Sequence, residues 1–228
     1  MPDVILLETE AAFGYTFFML SKSKVKKIID ALVAEYPDAG CELDYGTKYQ
    51  LLVSVMLSAQ TTDAAVNKVT PALFEAAPDA QAMAKLSQQQ LEDFIRTIGL
   101  YKNKAKNVLA MTAILLEKFG GEVPGNFDDL VSLPGVGRKT ANVVLAEAFG
   151  EQQIAVDTHV FRLANRIGIT DAKDVLQTEL GLQKALPHDK WTLMHHALII
   201  HGRRCCHARN PECSRCPING ICEKNGMQ

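Results

Sequence analysis

No apolar run in this 228-residue sequence approaches the length of a membrane-spanning helix. The stretch Ala11–Leu20 is apolar but short, and it follows acidic residues instead of the basic start that a secretory signal needs. Membrane insertion and secretion are therefore not expected, and the chain reads as cytoplasmic. No segment is of low complexity, and none alternates apolar and polar residues convincingly with period two. Ile154–Val156 could be extended, but a lone strand would have no partner. Six cysteines are too few for a disulfide scaffold in a chain of this size. An excess of positive charge is also missing. The net charge is −2, where a nucleic-acid binder usually shows a basic footprint. That absence is not decisive, because the charge is uneven. Residues 1–20 hold Asp3, Glu8 and Glu10 with no Lys or Arg, and with those three acids removed −2 becomes +1. Residues 200–228 hold five cations against Glu212 and Glu223, so a local basic face is compatible with the whole.

What is present is helical pattern nearly throughout. With 47% hydrophobic and 22% charged residues, the composition is that of an ordinary globular chain. Its length suits one large domain or two small ones sharing a core. Lys22–Tyr36 places Val25, Ile28, Ile29, Leu32 and Val33 on one face at helical spacing. Tyr49–Ala59 is apolar on almost every side, as a buried central helix should be. Thr62–Ala76 is helical in pattern, with Pro71 expected to kink or split it. Ser87-Gln-Gln-Gln90 reads as a capping box. Further helices are expected over Lys104–Phe119, from Asn126 to near Leu133, and over Arg138–Phe149, Asp157–Ile167, Asp174–Leu186 and Asp189–Gly202. Residues 1–18 are expected to be a loose extension or no part of the native protein. Met19 stands just before the first plausible helix.

Two glycine turns lie between helices and are followed by cations, Ile98-Gly99-Leu100-Tyr101 and Leu133-Pro134-Gly135-Val136-Gly137. In the second, Pro134 ends the preceding helix, and Gly135 and Gly137 permit positive φ and close backbone approach. The amides that follow open the next helix, where they bind anions, phosphate above all. With Arg138 and Lys139 directly after, phosphate contact is favoured over a turn that binds nothing. Downstream stands Ile154-Ala-Val-Asp157-Thr-His-Val-Phe-Arg162, where Asp157 occupies an N-cap position. Five of the six cysteines crowd between Cys205 and Cys222. The run Cys206-x6-Cys213-x2-Cys216-x5-Cys222 puts four thiolates in seventeen residues. That is a ligand set, which suits either zinc or a [4Fe–4S] cluster. Cys41 stands apart, as a core thiol would.

The hairpin with its lysine, followed by Asp157, resembles the helix-hairpin-helix DNA glycosylases. Together with the cysteine spacing it resembles the endonuclease III family, over about Lys22 to Lys224. The resemblance implies an all-α fold of two helical domains with a DNA-binding cleft between them. Residues 41–151 would form a six-helix domain carrying the hairpin. Residues 21–40 and 152–228 would form an iron–sulfur domain from both chain ends, with 1–20 an N-terminal extension. It implies a [4Fe–4S] cluster, structural in role, on Cys206, Cys213, Cys216 and Cys222, with Cys205 an extra neighbour. The partner would be double-stranded DNA carrying damaged bases or abasic sites, met by a monomer in the cytoplasm at the nucleoid. The reaction would be base-excision glycosylase and AP lyase chemistry on oxidised pyrimidines.

By the same resemblance Lys139 is the nucleophile and Asp157 the carboxylate that stabilises positive charge and moves protons. Gln60 fills the gap left by a flipped base and Leu100 wedges the stack, although a core leucine is almost as good a reading of Leu100. Gly135, Gly137, Arg138 and Arg209 meet phosphate, and His159 is a pocket residue. Lys102, Lys104 and Lys106 either touch phosphate or form a solvated face. A lysine amine attacks only when neutral, and its reference pKa is about 10.4. The first turn of a helix disfavours the ammonium slightly, so closure by DNA must supply most of the desolvation. Other readings are an adenine glycosylase of the same superfamily, a thymine-mismatch glycosylase, a non-catalytic hairpin module, and an electron-transfer iron–sulfur protein. Lys139 and Ser54, where the adenine branch has glutamate, speak against the first.

Overall fold

Eight of the eleven α-helices among the described residues begin on a Ser, Thr, Asp or Asn whose side chain accepts a first-turn amide. The structure, a computed structural model, describes residues 20–227. The expectation that residues 1–18 form a loose extension lies outside the described residues. Among those residues there are no strands, and no helix is long and apolar enough to cross a membrane.

The chain divides into two compact units: Cys41–Glu151, and the two chain ends, up to Gly40 and from Gln152. The middle unit holds α2 (Lys48–Leu57), α3 (Asp63–Ala76), α4 (Ala80–Met83), α5 (Gln88–Ile95), α6 (Tyr101–Phe119), α7 (Phe127–Ser132) and α8 (Arg138–Phe149). Every residue of α2 from Leu51 to Leu57 is buried, because α3, α6 and α8 all pack against it. Leu51, Leu52 and Leu57 meet Val108, Met111 and Leu115 of α6 and Val144 and Leu145 of α8 in one core. Each such leucine contributes roughly 1.5–3 kcal/mol of burial. Ser87 and Gln90 form the expected capping box.

Three expectations need correction here. Pro71 does not split its helix. Asp63–Ala76 runs unbroken through it, since Val66, Val69, Thr70 and Leu73 are buried on both sides of the proline and their packing outweighs one missing amide bond. The helix expected from Lys104 starts three residues earlier, at Tyr101. The middle unit holds seven α-helices among its described residues where six were expected; the extra one, the short α4 capped by Asp79, has no counterpart in the periodic pattern, because one turn is too short to show a period.

The terminal unit holds α1 (Lys22–Glu35), α9 (Thr158–Ile167), α10 (Val175–Ala185) and α11 (Trp191–Arg204), followed by the cysteine loop. α11 packs against both α1 and α9. Ile28 and Leu32, Leu163 and Ile167, and Met194 and Leu198 form its core, and Ile218 from the cysteine loop joins them at 1% exposure. Ile154, Ala155 and Val156 approach α9 as buried chain outside any helix or strand.

Candidate nucleic-acid interface and metal centre

The helices that follow the two glycine turns, α6 and α8, start without a side-chain cap. At α8 the N-cap is Gly137, and the first intrahelical bond is Ala141 N–H to Gly137 C=O at 2.9 Å. The amides of the first turn are thus not covered by a side chain of the cap residue. Leu133 and Val136 are buried and anchor the turn in the core, while Gly135, Gly137, Arg138 and Lys139 face outward. The Arg138 guanidinium stands 5.1 Å from the centre of the Phe127 ring, which holds it beside the turn.

The two glycines differ. Gly135 has φ +79, and a Cβ there would lie 2.9 Å from Asn107 Cβ and 3.0 Å from Met56 Cε. Gly137 has φ −97, and a Cβ there would meet nothing within 4 Å. Of the two glycines only Gly135 uses the expected left-handed freedom, and no described residue stands where a side chain at 137 would go. Gly135→Ala should cost about 1–3 kcal/mol of stability through strain and overlap. Gly137→Ala should leave the thermal midpoint nearly unchanged while weakening duplex binding, if backbone and phosphate meet there. Thermal unfolding and salt-titrated DNA affinity measured on both variants check this, and equal affinity losses from equally stable variants would contradict it.

Gln60 and Leu100 share an unusual feature. Both are exposed and both hold left-handed backbone, at φ 54 and φ 59. Leu100 is 55% exposed, which removes the core reading for it. Strain of this kind costs about 1–2 kcal/mol per residue and gathers at functional positions. The Lys104 ammonium ties the two segments together by donating to Thr61 Oγ1 at 2.6 Å, and burial pushes its pKa down. Lys104 is therefore structural, whereas Lys102 and Lys106 are exposed. A side chain at Gly135 would overlap Met56 and Asn107, so the second turn lies close against the end of α2 and the first half of α6. In the middle unit the structure thus gathers Gln60, Leu100 and the hairpin.

In the terminal unit Asp157 caps α9, accepting from Val160 N–H at 2.8 Å, and is partly exposed. His159, two residues on, is half-buried against Gly202. Burial lowers its pKa, against the opposing pull of Asp157. Arg162 donates to His159 Nδ1 at 3.3 Å, to Gly202 C=O at 3.2 Å and to Cys206 C=O at 2.9 Å. One turn later Arg166 donates to Cys206 Sγ at 3.3 Å and to the carbonyls of His207 and Ala208. These two arginines, which the sequence reading passed over, clasp the start of the cysteine loop. Their spacing of four along α9 was the available signal. Arg209, just beyond, is exposed.

All six cysteines are free thiols. Cys206, Cys213, Cys216 and Cys222 line one cavity together with Arg166, His201 and Ile218. Cys205 lines it too, but its Sγ lies 3.7 Å from the Glu212 carbonyl, to which it donates. The three donors that converge within 4.8 Å are His201, Cys205 and Cys216, so only Cys216 is shared with the expected ligand set. Burial pushes the Cys216 thiol up to about 11 and raises that of Cys222. Four thiols lining one cavity beside the Arg166 guanidinium, with Cys216 and Cys222 raised by burial, fit a metal centre, because a bound metal ionises such thiols. Cys41 is half-buried against the core of the middle unit, and burial pushes its thiol to about 11.

Comparison with known proteins bears on both regions. Residues 53–188 match the family described as HhH-GPD superfamily base excision DNA repair protein, and residues 206–222 match the iron-sulfur binding domain of endonuclease III. Endonuclease III of Bacillus subtilis (strain 168) is 44% identical over 207 residues, 90% of this chain and 94% of that protein. The solved structure of a trapped endonuclease III–DNA covalent intermediate matches with a TM-score of 0.86 at 45% identity, covering 90% of this chain and 97% of the other. A thermostable thymine-DNA glycosylase shares the fold, with a TM-score of 0.78 at 22% identity over 89% of this chain and 96% of its own.

Proposed function

The chain belongs to the endonuclease III family, within the HhH-GPD superfamily of base excision DNA repair proteins, and from that membership we propose which residues carry the reaction. It is a DNA glycosylase with AP lyase activity and an iron–sulfur protein. Its substrate is double-stranded DNA holding an oxidised pyrimidine or an abasic site, met by a single copy of the chain in the cytoplasm, at the nucleoid. The observation that carries the reading is the uncapped start of α8. Outward-facing amides, Arg138 and Lys139 follow a glycine turn anchored by buried Leu133 and Val136.

Phosphate binds the first-turn amides of α8, with Arg138 beside it, and Gly137 lets the backbone approach closely. The damaged nucleotide leaves the stack at a cost of a few kcal/mol, least for a weakly stacked lesion. Exposed Leu100 and Gln60 take its place, the leucine as an apolar wedge and the amide against the unpaired partner base. The Lys139 amine, desolvated by the closing duplex, attacks C1′ of the deoxyribose and the base departs. The resulting Schiff base permits β-elimination, which nicks the strand. Asp157, oriented by its capping bond, stabilises positive charge on the sugar and exchanges protons with the amine. His159 lines the pocket and Arg209 meets backbone phosphate.

Cys206, Cys213, Cys216 and Cys222 would hold a [4Fe–4S] cluster, which supplies a rigid covalent anchor for the loop. Arg162 and Arg166 secure the same loop from α9, so Arg209 is presented on a fixed frame.

Duplexes carrying thymine glycol, uracil, 8-oxoguanine or an abasic site, incubated side by side, test the substrate reading. Nicking of the thymine glycol and abasic duplexes is expected, with little at uracil or 8-oxoguanine. Preferential removal of uracil would favour the thymine-mismatch reading instead.

A further inference from the structure

The terminal unit contains a chain of polar contacts, buried at Tyr36 and His201 and part-buried at Cys216, that the repair reaction does not use. Tyr36 Oη lies 2.9 Å from His201 Nδ1, and His201 Nε2 lies 3.5 Å from Cys216 Sγ. His201 is 1% exposed and Tyr36 7%, and their rings stand at 55° with centroids 5.7 Å apart. Tyr36 ends α1 and His201 sits in the last turn of α11, so packing of those two helices sets the line.

The chemistry of the far end fixes the protons along it. A cysteine bound to iron is a thiolate and can only accept a hydrogen bond. His201 Nε2 must then carry a proton and donate it toward Cys216 Sγ. Nδ1 is left as an acceptor, and the Tyr36 hydroxyl is placed to donate to it. A donor aimed at a cluster sulfur stabilises whichever state carries more negative charge, which is the reduced one. Arg166 does the same for Cys206 at 3.3 Å, but as a permanent cation whose carbonyl contacts also hold the loop. The histidine line has no such second duty, apart from the packing of its rings.

We propose that His201, oriented by Tyr36, is a positioning residue for the iron–sulfur centre, raising its one-electron reduction potential through the Nε2–H to Cys216 Sγ hydrogen bond. This rests on the reading of Cys216 as a cluster ligand. A differential hydrogen bond to a charged group corresponds to about a tenfold change in the ratio of oxidised to reduced centre at fixed potential, and tenfold is 59 mV for one electron.

The test is potentiometric titration of the full-length iron-loaded protein, followed in the visible spectrum, for the parent, His201→Gln, His201→Leu and Tyr36→Phe. Leucine removes the donor and should lower the potential by about the tenfold equivalent. Glutamine keeps an N–H and should stay near the parent. Tyr36→Phe frees Nδ1 from its donor and should move the potential in the same direction as leucine, by less. An iron-loaded His201→Leu protein with the parental potential overturns the inference. If that variant holds no iron, Tyr36→Phe decides, and an unmoved potential there overturns it equally. A parent that is colourless as isolated, with no cluster absorption, would defeat the cluster reading itself, so the two failures are distinct.

Discussion

Replacing Lys139 by glutamine should abolish borohydride-dependent covalent trapping on damaged duplex and lower strand cutting by about 10³-fold or more, in line with other removed nucleophiles. Duplex binding should survive, because glutamine is a good helix former and leaves the α8 amides and Arg138 in place. Lys139 is exposed in the first turn of α8, so folding does not depend on it. Asp157→Asn is the companion. Asparagine caps a helix about as well as aspartate, and the bond to Val160 N–H is the cap's contribution to folding. The thermal midpoint should therefore hold while turnover falls by about 10²–10⁴-fold through loss of the carboxylate's charge and proton transfer. A Lys139→Gln protein that still traps and still cuts would remove the enzyme mechanism at its root.

Loss of the iron–sulfur centre is expected to have the second largest effect, this time on the terminal unit and not on the chemistry. The native protein should be brown with broad visible absorption, and Cys206→Ala or Cys222→Ala should give colourless protein. The loop is built into the core. Ile218 is 1% exposed, Cys206 is buried, and Cys216 and Cys222 pack against the same apolar cluster as Leu163 and Leu198. Without the centre, Ile218 loses its tether and Arg166 loses a thiolate partner. The stability loss should reach several kcal/mol, because a structural metal's binding energy is folding energy. Thermal unfolding with and without the centre measures it. A colourless native protein containing zinc would replace the cluster with a tetrahedral metal site on the same cysteines.

Much of the fold was legible because it is written in local patterns. The stripe Val25–Ile28–Ile29–Leu32 and the all-round apolar Tyr49–Leu57 are period and composition, and both mark buried faces. The caps Ser87, Asn126, Asp157 and Asp174 are single residues with one favoured use. The places where sequence reasoning fell short share a different cause. Pro71 sits inside a continuous helix because burial on both sides outweighs a local preference. Lys104 belongs to a set of cations that looks solvated, yet it reaches Thr61, 43 residues away in the chain. Leu100 could be core or wedge by type alone, and its 55% exposure at φ 59 decides the matter.

Amino-acid order alone determined most of the helices, the glycine turn that opens α8 without a side-chain cap, the position of Lys139 in its first turn and the crowding of thiols at the C-terminal end. Each of these depends on neighbours within a few residues, whose geometry the backbone dictates. Only the tertiary structure decided that Gly135 is needed for shape and Gly137 is not. It alone placed Arg162 and Arg166 on the cysteine loop and aligned Tyr36, His201 and Cys216 across 180 residues of chain. Those contacts exist because distant helices bury apolar faces against each other. That packing carries polar groups with it into low-dielectric surroundings, where each must find a partner.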